Sequence, residues 1–281
     1  MPGADLHLHT TCSDGTLSPA EIVRRAAAAG LEVIAITDHD TVDGLPEAIE
    51  AARAFPGLQI IPGVELSTDI PRSEVHILGY FMDYQKPEWL ATMSRFQESR
   101  VGRAEAMVAR LAELGLPLAW DRVRALAGGA SIGRPHIAQA LLEAGHTTSI
   151  QEAFEKYIGR NGPAYADRDK MSPVEAIQLI RDYGGCAVLA HPGDLGEFAD
   201  VEGLLSQLKA AGLAGIEAYY GSYPDKKVAL FLGLARKYGL IPCGGTDFHG
   251  LGSTYEGILG LRPAPLSSVE RLRAAARELH I

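Results

Sequence analysis

Short β-like apolar runs alternate with segments of helical periodicity along most of the chain. Strands that alternate with helices in this way are typical of βα units built around a parallel sheet. Seven runs are predicted as strands, namely 4-ADLHLH-9, 32-EVIAIT-37, 58-LQIIPGVEL-66, 74-EVHILGYF-81, 186-CAVLA-190, 215-GIEAYY-220 and 240-LIPCGG-245. The pattern therefore predicts an α/β fold with a seven-stranded (β/α) barrel.

The alternation stops between the fourth and fifth predicted strands. Residues 87–165 carry only helical periodicity, as 96-FQESRVGRAEAMVARLAELG-115 illustrates. A segment of this length is too long for a simple crossover, and barrel enzymes often hold substrate with such additions. We predict that 1–90 and 166–281 form the barrel and that 91–165 is an all-helical insertion domain that grips the substrate.

The composition is that of a globular protein, and its charge is unevenly distributed. The 281 residues are 47% hydrophobic and 22% charged, with a formal net charge of −9. An acidic chain of this kind disfavours binding to long nucleic acid. Residues 96–170 hold 10 Lys+Arg against 9 Asp+Glu, so the acidic surplus lies in the remainder. This distribution suggests carboxylates that serve metal ions, with basic groups supplied from elsewhere in the chain.

Hydropathy and cysteine usage predict the cellular compartment. The longest apolar runs, such as 213–220 and 186–190, are far shorter than the roughly 20 residues of a membrane span, and the N-terminus lacks the basic and apolar regions of a signal peptide. Cys12, Cys186 and Cys243 form no C-x-x-C pair and are expected to be reduced. We therefore expect a cytoplasmic protein with no membrane association.

Histidines and carboxylates gather in and directly after the predicted strands. His7 and His9 are two residues apart on one strand, so their side chains point to the same face and can bind one ion together. The spacing recurs in 247-DFH-249. Because barrel active sites form at the carboxyl ends of the strands, these side chains are expected to converge. The six histidines involved are His7, His9, His39, His76, His191 and His249.

Each of these residues also has an ordinary structural interpretation when it is taken alone. His76 could be a satisfied strand histidine, and Asp38 could be a cap or a partner that orients a ligand. Burial of so many ionisable groups without partners is prohibitive, however, and a shared metal cluster supplies the partners. Mixed nitrogen and oxygen ligands suit zinc, manganese or iron better than magnesium or calcium. Among zinc, manganese and iron, we expect manganese.

In its motifs the chain resembles the PHP (polymerase and histidinol phosphatase) superfamily of metal-dependent phosphoesterases. The motifs that carry the resemblance are 5-DLHLHTTCSDG-15, 37-TDHD-40, 62-PGVE-65, 74-EVH-76, 190-AHP-192 and 245-GTDFH-249. The resemblance implies a distorted, TIM-like barrel of seven strands and two or three divalent metal ions. It also implies nine metal ligands, which are His7, His9, Asp14, His39, Glu65, His76, His191, Asp247 and His249.

The resemblance further implies how these ligands are shared among the ions. The first ion is expected on His7, His9, Glu65 and Asp247. Glu65 would bridge to a second ion, which His76 and His191 complete. Asp14, His39 and His249 would hold a third ion. The proton of the leaving oxygen could come from His191, Asp247 or His249, and this role stays open because a ligand does not usually act as an acid as well.

Four basic or polar residues in the helical region are candidates for substrate binding. Arg134 precedes Pro135, a favoured first helical residue, so its guanidinium would lie beside a positive helix end that suits a phosphate. Asn161, Arg168 and Lys170 lie on the loop that returns to the barrel. The alternatives are a solvated loop arginine for the first residue and ordinary surface positions for the others.

These features predict a phosphoric monoester hydrolase that uses a hydroxide bridging two metal ions. The expected substrate is the 3′-phosphate of 3′,5′-nucleoside bisphosphates, with short 5′-phosphorylated oligoribonucleotides as further substrates and no obligatory protein partner. One alternative is a histidinol-phosphate phosphatase. Another is a non-catalytic or polymerase-associated PHP module, although the sequence ends at Ile281 without a polymerase domain, and a third is a metal-dependent amide hydrolase.

Overall fold

A single seven-stranded sheet organises the protein. The structure is a computed structural model that describes residues 3–70, 73–168, 170–195, 200–250 and 259–278. In sheet order the strands are β1 (Ala4–Leu8), β2 (Val33–Ile36), β3 (Gln59–Ile70), β4 (Ser73–Tyr80), β5 (Cys186–Leu189), β6 (Gly215–Glu217) and β7 (Ile241–Cys243). Each of the seven predicted runs overlaps one of these strands, so the α/β class and a sheet of seven strands are confirmed for the described residues.

The sheet is not entirely parallel, and this corrects the prediction. Strand β4 is antiparallel to both β3 and β5, whereas the other neighbouring pairs are parallel. Only two residues separate Ile70 at the end of β3 from Ser73 at the start of β4. A parallel crossover needs a dozen or more residues, so a connection this short permits only antiparallel pairing.

The sheet curls into a half-barrel whose first strand meets the segment that follows the last strand. The backbone N–H of Leu6 donates to the carbonyl oxygen of Gly244 over 3.1 Å, and the N–H of Asp247 donates to that of His7 over 2.9 Å. These hydrogen bonds bring the chain after β7 against β1. His7 in β1, His9 directly after it and the 247-DFH-249 motif are adjacent for this reason.

Helices cover the sheet and fill the region between β4 and β5. The α-helices are α1 (Pro19–Ala28), α2 (Leu45–Ala52), α3 (Pro87–Glu113), α4 (Trp120–Ala127), α5 (Arg134–Glu143), α6 (Ile150–Ala153), α7 (Pro173–Asp182), α8 (Val201–Ala210), α9 (Asp225–Tyr238) and α10 (Leu266–Arg277). A π-helical turn, Phe154–Ile158, follows α6, and a 3₁₀ turn, Pro192–Asp194, follows β5. No helix in the described residues is both long enough and apolar enough to cross a membrane.

Helix α3 joins the barrel to the helical region. Its first turns bury Trp89 and Met93 in the core that covers the sheet. Its later turns bury Met107 and Leu111 in a separate cluster formed with α4, α5 and α6. The expected helices are therefore present, but α3 runs without a break through the predicted domain boundary at residue 91. A distinct insertion domain that grips substrate stays a prediction.

Candidate active site

The predicted metal ligands lie on one side of the half-barrel. His7 lies in β1, and His9 follows it directly. His39 and His191 come just after β2 and β5. Glu65 and His76 lie inside β3 and β4 rather than at their ends, because the β3–β4 hairpin extends beyond the site. Asp14, Asp247 and His249 follow β1 and β7 in the chain.

Glu65 lies at the centre of these side chains, and its two carboxylate oxygens face different partners. Oxygen Oε1 is 2.9 Å from His76 Nδ1 and 3.1 Å from His191 Nε2. Oxygen Oε2 lies within 3.3 Å of a ring nitrogen of each of His7, His9 and His39. A carboxylate placed in this way can bridge two ions.

Asp247 completes the first predicted group. Its Oδ1 is 3.0 Å from His9 Nε2 and 3.3 Å from His7 Nε2, and these two nitrogens are 3.1 Å apart. The other oxygen, Oδ2, accepts a 2.7 Å hydrogen bond from the hydroxyl of Tyr220. Asp247 also has a φ of 54°, in the left-handed region. The backbone and Tyr220 together direct Oδ1 toward the two histidines and Glu65.

Asp14 forms the centre of the third predicted group. Its Oδ1 is 3.4 Å from His249 Nε2 and 3.7 Å from His9 Nδ1, and its Oδ2 is 3.7 Å from His39 Nε2. His9 thus presents one ring nitrogen to Asp14 and the other to Glu65 and Asp247. The structure therefore brings all nine predicted ligands together, although their binding of ions stays a prediction.

Hydrogen bonding within the protein does not satisfy this cluster. Glu65 Oε2, His39 Nδ1 and His191 Nδ1 are buried and find no hydrogen-bond partner of suitable geometry among the described residues, even though Glu65 and His39 approach to 3.0 Å. Burial raises the pKa of Glu65, but the neighbouring histidines lower it well below its usual range. Buried atoms left in this state need a further partner. A divalent ion fits a mixed nitrogen and oxygen donor set of this kind.

A buried carboxylate behind the cluster orients two of its histidines. Glu217, the last residue of β6, accepts a hydrogen bond from His7 Nδ1 over 3.2 Å and one from the backbone N–H of His191 over 2.8 Å. A metal-binding histidine is usually oriented by such a carboxylate. Glu217 is absent from the residues predicted from the sequence, although an acid that ends the apolar run 215-GIE-217 is a signal for it.

A cavity of about 110 Å³ adjoins the cluster and carries a concentration of positive charge. Two carboxylates, Asp14 and Glu74, and two histidines, His39 and His76, contribute to its lining. The lining also includes four arginines, which are Arg100, Arg103, Arg134 and Arg168. The first two come from α3 and were missed by the sequence analysis, although their spacing of three residues places them on one helix face.

Comparisons with known proteins agree with this geometry. The sequence pattern of the PHP domain matches residues 5–234. The chain belongs to the PHP family. It is a metal-dependent phosphoesterase, a hydrolase of phosphate esters.

Several PHP relatives match over nearly their whole length. The 3′,5′-nucleoside bisphosphate phosphatase of Chromobacterium violaceum is 36% identical over 90% of this chain and 89% of its own. A 5′-3′ exoribonuclease of Haemophilus influenzae is 36% identical over 87% and 89%. The crystal structure of a protein described as a metal-dependent phosphoesterase of Bifidobacterium adolescentis covers 98% of this chain and 96% of its own, with a TM-score of 0.88 and 32% identity.

The four residues predicted to contact the substrate of this PHP protein do not all line the cavity. Arg134 begins α5, as expected, and its guanidinium contacts the carboxylate of Glu74. Arg168 also lines the cavity. Lys170 is almost fully buried, contacts Glu74 and lines a neighbouring groove instead. Asn161 is exposed and does not belong to the described lining of the cavity.

Proposed function

We propose that this PHP phosphoesterase removes the 3′-phosphate from 3′,5′-nucleoside bisphosphates in the cytoplasm. The observation that carries the proposal is the arginine-lined cavity, which adjoins the candidate metal cluster. Such a site offers two environments for anions, one at the ions and one among the guanidinium groups. A substrate with two phosphates can use both, whereas a monophosphate can use only one.

The ligand groups are proposed as the sequence analysis assigned them. His7, His9, Glu65 and Asp247 would hold one ion, and Glu65 with His76 and His191 a second. Asp14, His39 and His249 would hold a third, with His9 close enough to contribute its other nitrogen. Manganese is the preferred ion, with zinc or iron as alternatives.

Bound divalent ions supply Lewis acidity, which activates water as a nucleophile and offsets charge on the phosphoryl oxygens. The chain itself fixes the position of the reacting phosphate and excludes bulk water through its buried walls. The candidates for protonating the leaving oxygen remain His191, Asp247 and His249. Each of these contacts Glu65, Asp14 or another member of the cluster. We therefore propose that their first role is to hold ions.

The helical region would supply the second anion site. Arg100, Arg103 and Arg134 all lie between β4 and β5, in the proposed insertion 91–165. Arg168 follows on the loop that returns to the barrel and enters the same cavity. We propose that the barrel, formed by 1–90 and 166–281, performs the chemistry and that the helical region selects the substrate.

A second candidate activity is the hydrolysis of short 5′-phosphorylated oligoribonucleotides, since a relative of similar identity and coverage is named a 5′-3′ exoribonuclease. Histidinol phosphate is a poorer fit. It carries a cationic amine, which the guanidinium groups of Arg100, Arg103, Arg134 and Arg168 would repel.

The test is phosphate release from four compounds by enzyme loaded in turn with manganese, zinc and ferrous iron. They are adenosine 3′,5′-bisphosphate, adenosine 3′-monophosphate, histidinol phosphate and a 5′-phosphorylated dinucleotide. We expect the highest kcat/KM for the bisphosphate. Equal values for the bisphosphate and the 3′-monophosphate, or a preference for histidinol phosphate, would overturn the proposal.

A further inference from the structure

We infer that Arg103 determines the preference for a second phosphate group by binding that group directly. The inference rests on the proposed function. Arg103 lies in the middle of α3 and lines the cavity together with His39 and His76 of the candidate metal cluster. The four arginines of the cavity differ in whether a carboxylate already pairs with them.

Arg100 and Arg168 share one carboxylate. The Nε of Arg100 is 2.7 Å from Asp40 Oδ2, and Nη2 of Arg168 is 2.6 Å from the same oxygen. Arg100 also donates to the hydroxyl of Ser67 over 2.8 Å. The carboxylate of Asp40 is itself fixed, because its Oδ1 accepts a 2.9 Å hydrogen bond from the backbone N–H of Ser67. Both guanidinium groups are therefore anchored to the barrel.

Arg134 is held by a second carboxylate. Its guanidinium contacts Glu74, which Lys170 contacts as well. Only 19% of the Arg134 side chain is exposed, and its guanidinium carbon lies 5.6 Å from the centre of the Phe154 ring. A phosphate could reach this guanidinium only in competition with Glu74. The ion pair thus makes Arg134 a weaker candidate for direct binding than its place at the start of α5 suggested.

Arg103 differs from these cations because no carboxylate of the described residues lies within ion-pair distance of it. Its guanidinium carbon is 5.6 Å from the centre of the Tyr165 ring. Its charged neighbours are three arginines, Arg134, Arg168 and Arg100, and one carboxylate, Glu74, which lies beyond ion-pair distance and is already paired with Arg134 and Lys170. Burial and the charge of Arg134 lower the pKa of Arg103 to about 10, so it stays protonated at neutral pH. A half-buried cation among other cations gains from any anion that enters the cavity.

The surroundings of Arg103 suit a phosphate in particular. A guanidinium can donate two parallel hydrogen bonds to phosphate oxygens, which an ammonium cannot. The hydroxyl of Tyr165 is buried without a hydrogen-bond partner in the described residues, and its ring stacks near both Arg103 and Arg134. Among the described residues, the structure thus presents a guanidinium without an ion-pair partner and an unpaired hydroxyl in one region, beside the candidate site of hydrolysis.

Arg103→Ala and Arg103→Lys test the inference, with Arg95→Ala as the matched control. Arg95 lies on the same helix, is exposed, and does not line the cavity. Loss of a charge-assisted hydrogen-bonded pair costs about ten- to a hundredfold in kcat/KM. We expect Arg103→Ala to reduce the ratio of kcat/KM for adenosine 3′,5′-bisphosphate to that for adenosine 3′-monophosphate by this factor. Arg103→Lys should recover only part of it, and Arg95→Ala should keep the wild-type ratio.

Binding of adenosine 5′-monophosphate to metal-free enzyme gives a second measurement, because this compound carries the second phosphate alone. Calorimetry should show a Kd that rises about ten- to a hundredfold in Arg103→Ala, in the range expected for a lost charged contact. The melting temperature of Arg103→Lys, compared with that of the wild type, shows whether the substitution disturbs folding.

The possible outcomes separate this inference from the proposed function. If the wild-type enzyme prefers the bisphosphate and Arg103→Ala keeps that preference and the wild-type Kd, the assignment of Arg103 is wrong. If the wild-type enzyme shows no preference for the bisphosphate, the proposed function itself fails. A selective effect of Arg134→Ala, with none in Arg103→Ala, would move the phosphate to Arg134.

Discussion

The length and charge of the Glu65 side chain determine whether two groups of candidate metal ligands can share one carboxylate. Both oxygens of Glu65 face imidazole nitrogens, with His76 and His191 on one side and three further histidines on the other. An aspartate, which is one methylene shorter, could not reach both sides. A glutamine would keep the length but lose the charge that offsets the ions.

We expect Glu65→Gln to lose metal ions from two groups at once rather than from one. Replacing a single ligand of one ion, as in Asp14→Asn, should leave the ion on His7, His9 and Asp247 in place. Metal content per chain after gel filtration measures the difference. Equal metal content in Glu65→Gln and the wild type would show that Glu65 bridges nothing.

Glu217 is expected to control metal affinity without binding an ion itself. It accepts hydrogen bonds from His7 Nδ1 and from the backbone of His191, so Glu217→Gln should leave both ligands in place but less well oriented. Loss of such an outer partner weakens metal binding by about ten- to a hundredfold. A metal titration of the apoenzyme measures this change. An unchanged affinity would mean that the buried carboxylate serves only folding.

Sequence patterns identified the candidate ligands more readily than the residues that surround them. The convergence of the histidines could be predicted because their spacing on strands and at strand ends is a local property, visible in 7-HLH-9 and 247-DFH-249. Glu217, Arg100 and Arg103 act through contacts with residues far away in the chain. Their local sequence offers only weak signals, an acid at the end of an apolar run and two arginines three residues apart, which ordinary strands and helices also show.

At the scale of elements, the β3–β4 hairpin connects the barrel to the helical region through ion pairs. Asp69 near the end of β3 is 2.7 Å from Arg160, and Glu74 in β4 contacts Arg134 and Lys170. The acids belong to strands of the barrel, whereas the bases belong to the segment between β4 and α7. This distribution follows the uneven charge of the sequence, in which the acidic surplus lies outside residues 96–170.

These ion pairs should differ in their contribution to stability. Arg160→Ala breaks a pair whose side chains are 25% and 28% exposed, so it should cost at most about 1 kcal/mol. Arg134→Ala removes one of the two cations that contact the more buried Glu74 and leaves only Lys170. It should lower the free energy of unfolding by more, about 2 kcal/mol or above. Urea denaturation of the two variants measures the free energies of unfolding. The reverse order would contradict this account of the hairpin.

The strands of the sheet could be predicted more accurately than their directions. Apolar runs identify buried strands, since burial of both faces produces continuous hydrophobic sequence. Strand β3 was predicted to end at residue 66, because the polar residues of 67-STD-69 do not resemble a buried strand. The extended hairpin, and with it the reversal of β4, was therefore missed.

At the scale of the whole molecule, the candidate site gathers buried charges that come from distant parts of the chain. Glu65, Asp14 and Asp247 are carboxylates of the same sign, and histidines crowd around them. Burial of these groups opposes folding unless a counter-ion joins them. Metal ions should therefore stabilise the folded protein as well as support catalysis, since a ligand that binds only the folded state shifts the unfolding equilibrium.

Removal of metal should consequently lower the melting temperature. An ion present at a hundred times its Kd contributes about 2.7 kcal/mol, which corresponds to a Tm shift of about 5 °C or more for a chain of this size. Calorimetry of the wild type with and without a chelator measures the shift, and added manganese should reverse it. His146→Ala, which alters a half-buried histidine outside the site, should retain the full shift. His7→Ala should lose most of the shift in melting temperature, because one ligand of the first ion is missing while the core below the cluster stays intact.

A melting temperature of the metal-loaded wild type that does not respond to the chelator would contradict this prediction. The cluster would then fold as an internal network of ion pairs, and the assignment of the nine residues as metal ligands would fail.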